Sequence, residues 1–188
     1  MPLRDLRHDD LEMVLRWRNA PEVRRSMYRQ HEISWDEHRR WFQGLRDDMS
    51  RRWYVYCDAR EVPQGVVYFT GLGEPASTAT WGFYCRPGAP AGTGTQMLLE
   101  GLELGFGTLG LAEVRGEALA SNIASVRLHR KLGFTAEDEP VAPPGDTDAP
   151  VEAVRFVLRA RDWPARKARL LREKPERGGG DSVSRASR

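Results

Sequence analysis

The stretch from Ala118 to Phe134 constrains the fold more than any other part of the chain, because it predicts a strand that runs directly into a short helix. Three polar residues recur at i, i+3 and i+7 and share one face of that helix: Asn122, Ser125 and His129. Three apolar residues recur every four positions and predict the side that packs on a core: Ala124, Leu128 and Leu132. Asn122 and Ser125 fit the cap and third positions of the helix, and Gly133 predicts its end.

The 188 residues, 40% of them hydrophobic, predict one domain with a single sizeable core. No run of about 18 apolar residues occurs, and the N-terminus lacks a charged and then apolar leader. We therefore expect no membrane span, no secretory signal and a cytoplasmic location. The two cysteines, Cys57 and Cys85, lie in strand-like runs, and their spacing suggests neither a disulfide framework nor a metal site.

The net charge of +2 is unevenly distributed. Residues 164–188 contain eight Lys or Arg and three acidic residues, a net charge of +5, which leaves −3 for residues 1–163. We predict a folded domain over residues 1–163 and a basic tail over residues 164–188, disordered towards its end because its composition cannot form a core. A slightly acidic domain with a basic tail is not typical of nucleic-acid binding, so no such partner is expected.

The remaining patterns predict an α/β protein. Periodic apolar residues predict helices over residues 9–19, 34–48, 93–109 and 123–132, the second opening with a Ser34–Glu37 capping box. Apolar or alternating runs predict strands over residues 3–6, 52–58, 65–71, 78–86, 113–120 and 151–161, of which the second to fourth form an antiparallel meander. Gly82 suggests a bulge or a close backbone approach, and residues 140–150 predict a loop between the last strands.

A Gly-x-Gly sequence, Gly92–Gly94, lies at the predicted start of the third helix. A helix N-terminus directs N–H groups and the positive end of the helix dipole at anions, and glycines let phosphate oxygens approach the backbone. Coenzyme A, with its pyrophosphate and ribose phosphate, needs such a site. By itself the sequence is equally typical of a turn before a helix. One helix and one strand separate it from Asn122 and His129, an order that the resemblance described next requires of a phosphate-binding loop.

Together, the glycine loop and the stretch from Ala118 to Phe134 resemble the acyl-coenzyme A binding half of the GNAT acetyltransferase superfamily. Four segments near the N-terminus resemble the subfamily that N-acetylates the 4-amino group of a nucleotide-linked sugar in pseudaminic acid synthesis: Leu15–Arg24, Met27–Tyr28, Ile33–Ser34 and His38. The two matches cover most of residues 1–158. The resemblance implies the GNAT fold, a mixed and mostly antiparallel sheet of six to seven strands flanked by helices.

The resemblance also implies acetyl-CoA as co-substrate, and no metal is expected. It places cofactor contacts at eight positions: Tyr84, Gly92, Thr93, Gly94, Thr95, Asn122, Ser125 and Arg130. Asn122 would contact the pantetheine arm and Arg130 the phosphate region, while a main-chain N–H near Tyr84 or Cys85 would polarise the thioester carbonyl. The chain departs from the superfamily at Ala89, where a Gln or Arg usually stands three residues before the first glycine.

Acetyl transfer to an amine needs a base for the ammonium and a proton for the departing thiolate. Glu117 aligns with a glutamate of the resembling subfamily and is the predicted base; the alternative is an exposed strand residue paired with a neighbour such as Arg115. His129 stands where the superfamily usually has a tyrosine and is the predicted proton donor; the alternative is a helix-surface histidine. An ordinary thiol has a pKa of about 8.5, so the donor supplies only part of the barrier reduction.

On the acceptor side, the resemblance implies contacts to a nucleotide sugar from Arg18, Tyr28 and His38. The planar guanidinium of an arginine on an inward helix face suits a phosphate. A buried ion pair with Glu22 or Glu37 is the alternative for Arg18. A core histidine whose hydrogen bonds are satisfied is the alternative for His38.

The resemblance therefore implies an enzyme that transfers the acetyl group of acetyl-CoA to a nucleotide-linked 4-amino-4,6-dideoxy sugar, and we expect direct attack in a ternary complex. Two alternatives stay open. One is the same fold acting on another amine, such as an aminoglycoside-like compound, a polyamine or a protein N-terminus. The other is an inactive acyl-CoA-binding module. The expected partners are the small-molecule acceptor and, in a homodimer, a second copy of the chain.

Overall fold

Seven strands form one mixed sheet in the computed structural model, which describes residues 2–73, 77–137 and 152–172. The strands are β1 Leu3–Asp5, β2 Arg51–Cys57, β3 Pro63–Thr70, β4 Thr78–Cys85, β5 Glu113–Leu119, β6 Thr135–Glu137 and β7 Ala153–Arg159. Their order in the sheet is β1-β2-β3-β4-β5-β7-β6. Every neighbouring pair is antiparallel except β4 and β5, which run parallel. The predicted mixed, mostly antiparallel sheet is confirmed.

Six α-helices flank the sheet within the described residues. They are α1 Leu11–Asn19, α2 Pro21–Arg24, α3 Trp35–Arg46, α4 Thr93–Glu103, α5 Ile123–Leu132 and α6 Trp163–Arg172. Short 3-10 turns precede α1 and α6, the second directly after β7, which therefore ends two residues before the predicted Arg161. The predicted loop over residues 140–150 and the end of the tail lie outside the described residues.

Successive side chains of β3 pack into two different hydrophobic clusters. Val67 packs in the main core with Leu98 of α4, whereas its neighbour Val66 packs against Val14 and Trp17 of α1. Because successive residues of a strand point to opposite faces of a sheet, α1 and α4 lie on opposite faces. The sheet is therefore covered on both sides.

The start of α3 follows the predicted capping box. The Ser34 hydroxyl accepts a hydrogen bond from the Glu37 N–H at 3.2 Å, which satisfies one of the first free amides of the helix. The helix buries Phe42 and Leu45 against Leu11 of α1. This contact fixes the N-terminal helices on one face of the sheet.

The third predicted helix is interrupted. α4 gives way to a π-helical turn at Leu104–Thr108, closed by the Leu109 N–H, which donates to the carbonyl five residues earlier at 2.9 Å. A Cβ on Gly105 within this turn would lie only 3.3 Å from the ring of Phe69 on β3. The predicted helix over residues 93–109 therefore extends to Thr108, with a last turn that is π-helical, and Gly105 lies in close contact with the sheet as expected.

α6 packs onto the domain. Its Trp163 and Leu170 are buried in the main core, and two of its polar side chains reach Glu103 of α4. The Trp163 indole N–H donates to Glu103 at 2.6 Å, and Lys167 forms an ion pair with the same carboxylate at 2.8 Å. The first part of the basic segment therefore belongs to the packed structure.

Candidate active site

β4 and β5 separate halfway along their length. Within the described residues they pair from Thr78 with Glu113 to Trp81 with Gly116, while each strand continues further against its outer neighbour, β3 or β7. The separated ends form the walls of a cleft of about 440 Å³. The first turns of α4 and α5 also line it. The cleft thus joins a gap in the sheet to two helix N-termini.

The strand register shows which main-chain groups of β4 face this gap. Directly after β4, the Arg86 N–H donates to the carbonyl of Gln64 on β3 at 2.8 Å. Because hydrogen-bond directions alternate along an antiparallel ladder, the Tyr84 amide also faces β3, and the Phe83 and Cys85 amides face the gap. The side chain of Tyr84 lines the cleft. The amides available to polarise a bound carbonyl are therefore those of Phe83 and Cys85.

Glu117 lines the cleft just beyond the point where the strands separate. The Tyr28 hydroxyl donates to Oε2 at 3.1 Å, and Arg155 of β7 lies 3.4 Å from Oε1. Arg115, the alternative partner considered for Glu117, pairs with Glu113 at 2.8 Å. The glutamate side chain is 28% exposed, so it is open to solvent on one side. The structure thus brings Glu117 and Tyr28 together.

Burial, and then the charge of Glu117, raise the pKa of Tyr28 above its ordinary value. The hydroxyl is therefore protonated at neutral pH and is a donor to the carboxylate. Tyr28 follows α2, and Glu117 lies on β5. Their hydrogen bond ties the N-terminal helices to the part of the sheet that borders the cleft.

The glycine loop places the start of α4 against the cleft. Gly92 has a φ of +87°, a conformation that favours glycine, and caps the helix. A Cβ on Gly94 would lie 3.5 Å from Leu128 of α5 and 3.7 Å from Cys85 of β4. Thr93 is buried in this turn. The helix start is therefore held between α5 and β4.

A groove of about 350 Å³ between the starts of α4 and α5 contains two cations that the sequence patterns did not predict. Arg127 and Lys131 lie one turn apart on α5, and the Lys131 ammonium donates to the Thr95 hydroxyl at 3.2 Å. Arg130, the predicted phosphate contact, does not line the groove, and its carbonyl accepts a hydrogen bond from Arg166 of α6 at 3.4 Å. The i, i+4 spacing of Arg127 and Lys131 is the signal that could have indicated them.

The predicted cap of α5 is confirmed. Asn122 Oδ1 accepts a hydrogen bond from the Ser125 N–H at 3.1 Å, and Gly133 ends the helix with a φ of +95°. Asn122 and Ser125 both line the cleft. Two of the three residues on the predicted polar face of α5 therefore present their polar groups to the cleft.

His129 does not line the cleft, and it is only 1% exposed. Its Nδ1 lies 2.9 Å from the Ser125 carbonyl and must donate to it, so Nε2 accepts the Trp81 indole N–H at 3.2 Å. Burial lowers its pKa to about 4, and the ring is neutral at pH 7. A neutral buried ring with both nitrogens bonded does not support the predicted role as proton donor. Nor is His129 a surface residue.

Arg18 also does not line the cleft. Its Nη2 donates to the Arg29 carbonyl at 2.9 Å, while Nη1 is buried without a hydrogen-bond partner, and burial lowers the pKa of the guanidinium. Neither Glu22 nor Glu37 forms an ion pair with it within the described residues. The Nε of Arg24 is buried and unpaired as well. Two tyrosines that line the cleft lie near the guanidinium of Arg18: Tyr68 and Tyr84.

His38 lies on α3 and is not among the residues that line the cleft. It is 4% exposed and stacks on Trp41 with ring centroids 5.0 Å apart. Its Nε2 is buried without a partner, and burial lowers its pKa despite a hydrogen bond with the main chain of Leu11. The structure does not bring His38 to Tyr28 and Glu117.

The fold and the site define a class of protein that binds an extended anionic cofactor. The cleft offers main-chain amides at a separated strand, and the adjoining groove offers a helix N-terminus with two cations. Coenzyme A needs groups of these kinds: main-chain amides for its pantetheine arm, and a helix N-terminus and cations for its pyrophosphate and ribose phosphate.

The chain belongs to the GNAT acetyltransferase family: the family described as "Acetyltransferase (GNAT) domain" matches residues 1–135. No curated protein sequence matches the chain at a significant level.

Several solved structures share the fold. A spermidine N-acetyltransferase from Vibrio cholerae, in complex with CoA and spermine, superposes with a TM-score of 0.76 at 20% identity, covering 86% of this chain and 96% of that one. A dodecameric structure of the Vibrio cholerae enzyme in an intermediate state gives 0.71 at 19% identity, covering 86% and 94%. A chimera of the Vibrio cholerae enzyme and hSSAT gives 0.77 at 20% identity, covering 86% and 96%.

Family membership makes the chain an acetyl-CoA-dependent N-acetyltransferase. The described residues contain no group of three or more side chains suited to a metal ion. None of the helices in the described part of the chain combines the length and apolar character that crossing a membrane requires.

Proposed function

We propose that the protein acetylates a small primary amine by direct attack on acetyl-CoA, with Glu117 as the general base. The position of Glu117 supports this best. It lines the cleft, with α4 and α5, where the cofactor is proposed to bind, on one side and the N-terminal segment that carries Tyr28 on the other. A carboxylate there accepts a proton from the acceptor ammonium directly or through water. Tyr28 and Arg155 hold the carboxylate in place.

In the proposed reaction, the thioester carbonyl lies at β4 and accepts a hydrogen bond from the Phe83 or Cys85 amide, which stabilises the oxyanion. The amine nitrogen forms a bond to the carbonyl carbon, the bond from that carbon to sulfur breaks, and coenzyme A departs as thiolate. The nitrogen gives up its remaining extra proton to this thiolate or to solvent, which leaves the neutral amide and coenzyme A. Because a thiol has a pKa of about 8.5, the thiolate departs without a dedicated acid. His129 is therefore assigned no proton transfer.

The substitution Glu117→Gln tests the base. It should lower kcat/KM by about 10²-fold or more, since general-base catalysis contributes 10²–10⁴-fold. Glu113→Gln is the matched control, because Glu113 lies four residues earlier on β5 and pairs with Arg115 and Arg159 away from the cleft. Equal activity of the two variants would remove Glu117 from the mechanism.

For the acceptor, a polyamine-class cation is favoured by the charges of the cleft. Glu22 and Glu117 are the charged side chains among its described lining residues, and both are acidic. Carboxylates attract and orient a polycation. The similar solved structures of spermidine N-acetyltransferases are consistent with such an acceptor.

The nucleotide-linked 4-amino-4,6-dideoxy sugar is the second candidate. It is favoured by Arg18 and Arg24, whose guanidinium groups each retain a buried nitrogen without a partner, that of Arg18 close to the cleft tyrosines. An arginine with free N–H groups suits a diphosphate. His38 belongs to this hypothesis through the subfamily resemblance only.

The two acceptors are separated by measuring thiol release from acetyl-CoA with spermidine and with a UDP-linked 4-amino sugar. If the acceptor is a polyamine, Glu22→Gln should raise its KM several-fold and Arg18→Ala should not. If it is the nucleotide sugar, the reverse is expected.

Thermal stabilisation by acetyl-CoA without turnover of any amine would indicate an inactive acyl-CoA-binding module. A cytoplasmic location and a homodimer complete the proposal.

A further inference from the structure

The Trp81 indole and the His129 imidazole meet at the point where β4 and β5 separate. Trp81 and Gly116 are the last residues that pair between the two strands. The Trp81 N–H donates to His129 Nε2 at 3.2 Å directly above Gly116, where a Cβ would lie 2.5 Å from that nitrogen and 2.7 Å from the indole nitrogen. Only glycine leaves room for this hydrogen bond.

The His129 ring is fixed from several sides. Its Nδ1 donates to the Ser125 carbonyl one turn earlier in α5 at 2.9 Å. Phe156 of β7 stacks on it with centroids 4.6 Å apart and planes at 7°, and Phe134 meets it edge-on at 5.1 Å. No charged group contacts it in the described residues. The ring therefore links α5 to β4 through hydrogen bonds and to β7 through stacking.

From this geometry we infer that the Trp81–His129 hydrogen bond is a strut that sets the width of the cleft between β4 and β5 and the position of the α5 N-terminus, and thereby the fit of acetyl-CoA. His129 is on this view a positioning residue. The inference rests on the proposed use of the cleft for acetyl-CoA.

The strut connects the two walls that the cofactor must touch at once. The residue after Trp81 begins the free end of β4, whose amides face the gap. Ser125, which His129 holds through its carbonyl, lies in the first turn of α5 and lines the cleft. Loss of the hydrogen bond leaves a buried donor without a partner, and the indole and the helix must shift to satisfy it. Such a shift alters cofactor fit while leaving Glu117 in place.

The variants His129→Phe and Trp81→Phe test the strut, because each keeps an aromatic ring and removes one side of the hydrogen bond. Each should raise the KM for acetyl-CoA about tenfold, with kcat and the acceptor KM changed less than about twofold, the pattern of lost cofactor binding. The double variant should be no worse than either single one, since the two changes remove the same interaction.

Phe156→Leu is the control for loss of packing. It removes the stacked neighbour of His129 and touches neither hydrogen bond, so it should lower Tm while the KM for acetyl-CoA stays at the wild-type value. The Trp81 Nε1–H resonance should move in His129→Phe and not in Phe156→Leu. If His129→Phe does not fold, Trp81→Phe carries the same expectation.

An acetyl-CoA KM within twofold of wild type in the folded variants, or an equal increase in Phe156→Leu, would overturn the inference. Calorimetric titration with acetyl-CoA separates this failure from failure of the proposed cofactor site. A wild-type protein that binds no acetyl-CoA refutes the site. A wild type and variants that bind acetyl-CoA equally refute the strut alone.

Discussion

At the scale of single residues, His129 makes the stability of the folded protein depend on pH. The ring is neutral in the folded protein because burial lowers its pKa to about 4, whereas an unfolded histidine titrates near about 6.5. The unfolded chain therefore binds the proton more readily. The contribution of this residue to stability is complete above about pH 6.5 and is lost as the pH falls from there towards about 4.

We expect the difference in free energy of unfolding between the wild type and His129→Phe to shrink by up to about 3 kcal/mol between pH 7 and pH 4. Urea denaturation of both proteins at several pH values measures it. Comparison with the variant is needed because burial lowers the pKa of His38 as well, so part of the wild-type pH dependence has another source. A difference that is constant with pH would contradict the neutral buried ring.

The groove cations give a second prediction at this scale. Arg127→Ala and Lys131→Ala should each weaken coenzyme A binding several-fold, and more strongly at low salt, because they line the groove at the start of α4. Arg130→Ala is the matched control from the same helix and should bind coenzyme A as the wild type does. Calorimetry at two salt concentrations is the measurement. Weaker binding by Arg130→Ala alone would restore Arg130 as the phosphate contact.

At the scale of elements, two glycines differ in what surrounds them. Gly44 lies exposed in α3, and a Cβ added there would have no atom within 4 Å. A Cβ on Gly65 of β3 would lie 2.6 Å from the Met97 sulfur and 2.7 Å from the Tyr84 carbonyl oxygen. The same substitution should therefore have opposite effects at the two sites.

Gly44→Ala should stabilise the protein by about 0.5–1 kcal/mol, since glycine in a helix interior costs that much relative to alanine. Gly65→Ala should destabilise it by about 1–3 kcal/mol through overpacking. Thermal and urea denaturation of the pair check both signs. A destabilising Gly44→Ala would show that α3 does not form over this residue.

The elements also show where sequence reasoning succeeds. α3 and α5 are predictable because their caps and apolar faces are local, as Ser34 and Asn122 illustrate. The π-helical turn at Leu104–Thr108 has no such local signal, and the close approach of its Gly105 to Phe69 joins residues far apart in sequence. Tertiary contacts with no local signal decide such features.

The residues of the candidate site also divide into those that the sequence indicates and those that only the structure places. Motif and resemblance point to the glycine loop, Glu117 and Tyr28, and the structure brings the last two into contact. The resemblance points to Arg130, although only the position of α4 shows which face of α5 borders the groove. His129 shares a helix face with Ser125, yet Trp81 and the space left by the missing side chain of Gly116 draw the ring into the core.

At the scale of the whole molecule, α6 makes the C-terminal segment part of the core. A chain that ends at residue 163 loses the buried Leu170 and the Lys167–Glu103 ion pair. Burial of one such leucine contributes about 2–5 kcal/mol. We expect this chain to unfold about 4–20 °C below a chain that ends at residue 172, given about 2–4 °C per kcal/mol at this size. Calorimetry compares them, and equal Tm values would support a self-sufficient domain over residues 1–163.

The separation of β4 from β5 also determines which backbone amide hydrogens of β4 exchange rapidly with solvent. On β4 the Tyr84 amide is protected by β3, while the flanking Phe83 and Cys85 amides face the gap, where no neighbouring strand of the described sheet accepts them. In deuterium oxide, protected and unprotected amides should therefore alternate residue by residue along the free end of this strand, residues 82–85. If acetyl-CoA enters the cleft as proposed, it should slow the two fast positions and leave the slow one unchanged, which makes this short segment a built-in reporter of occupancy.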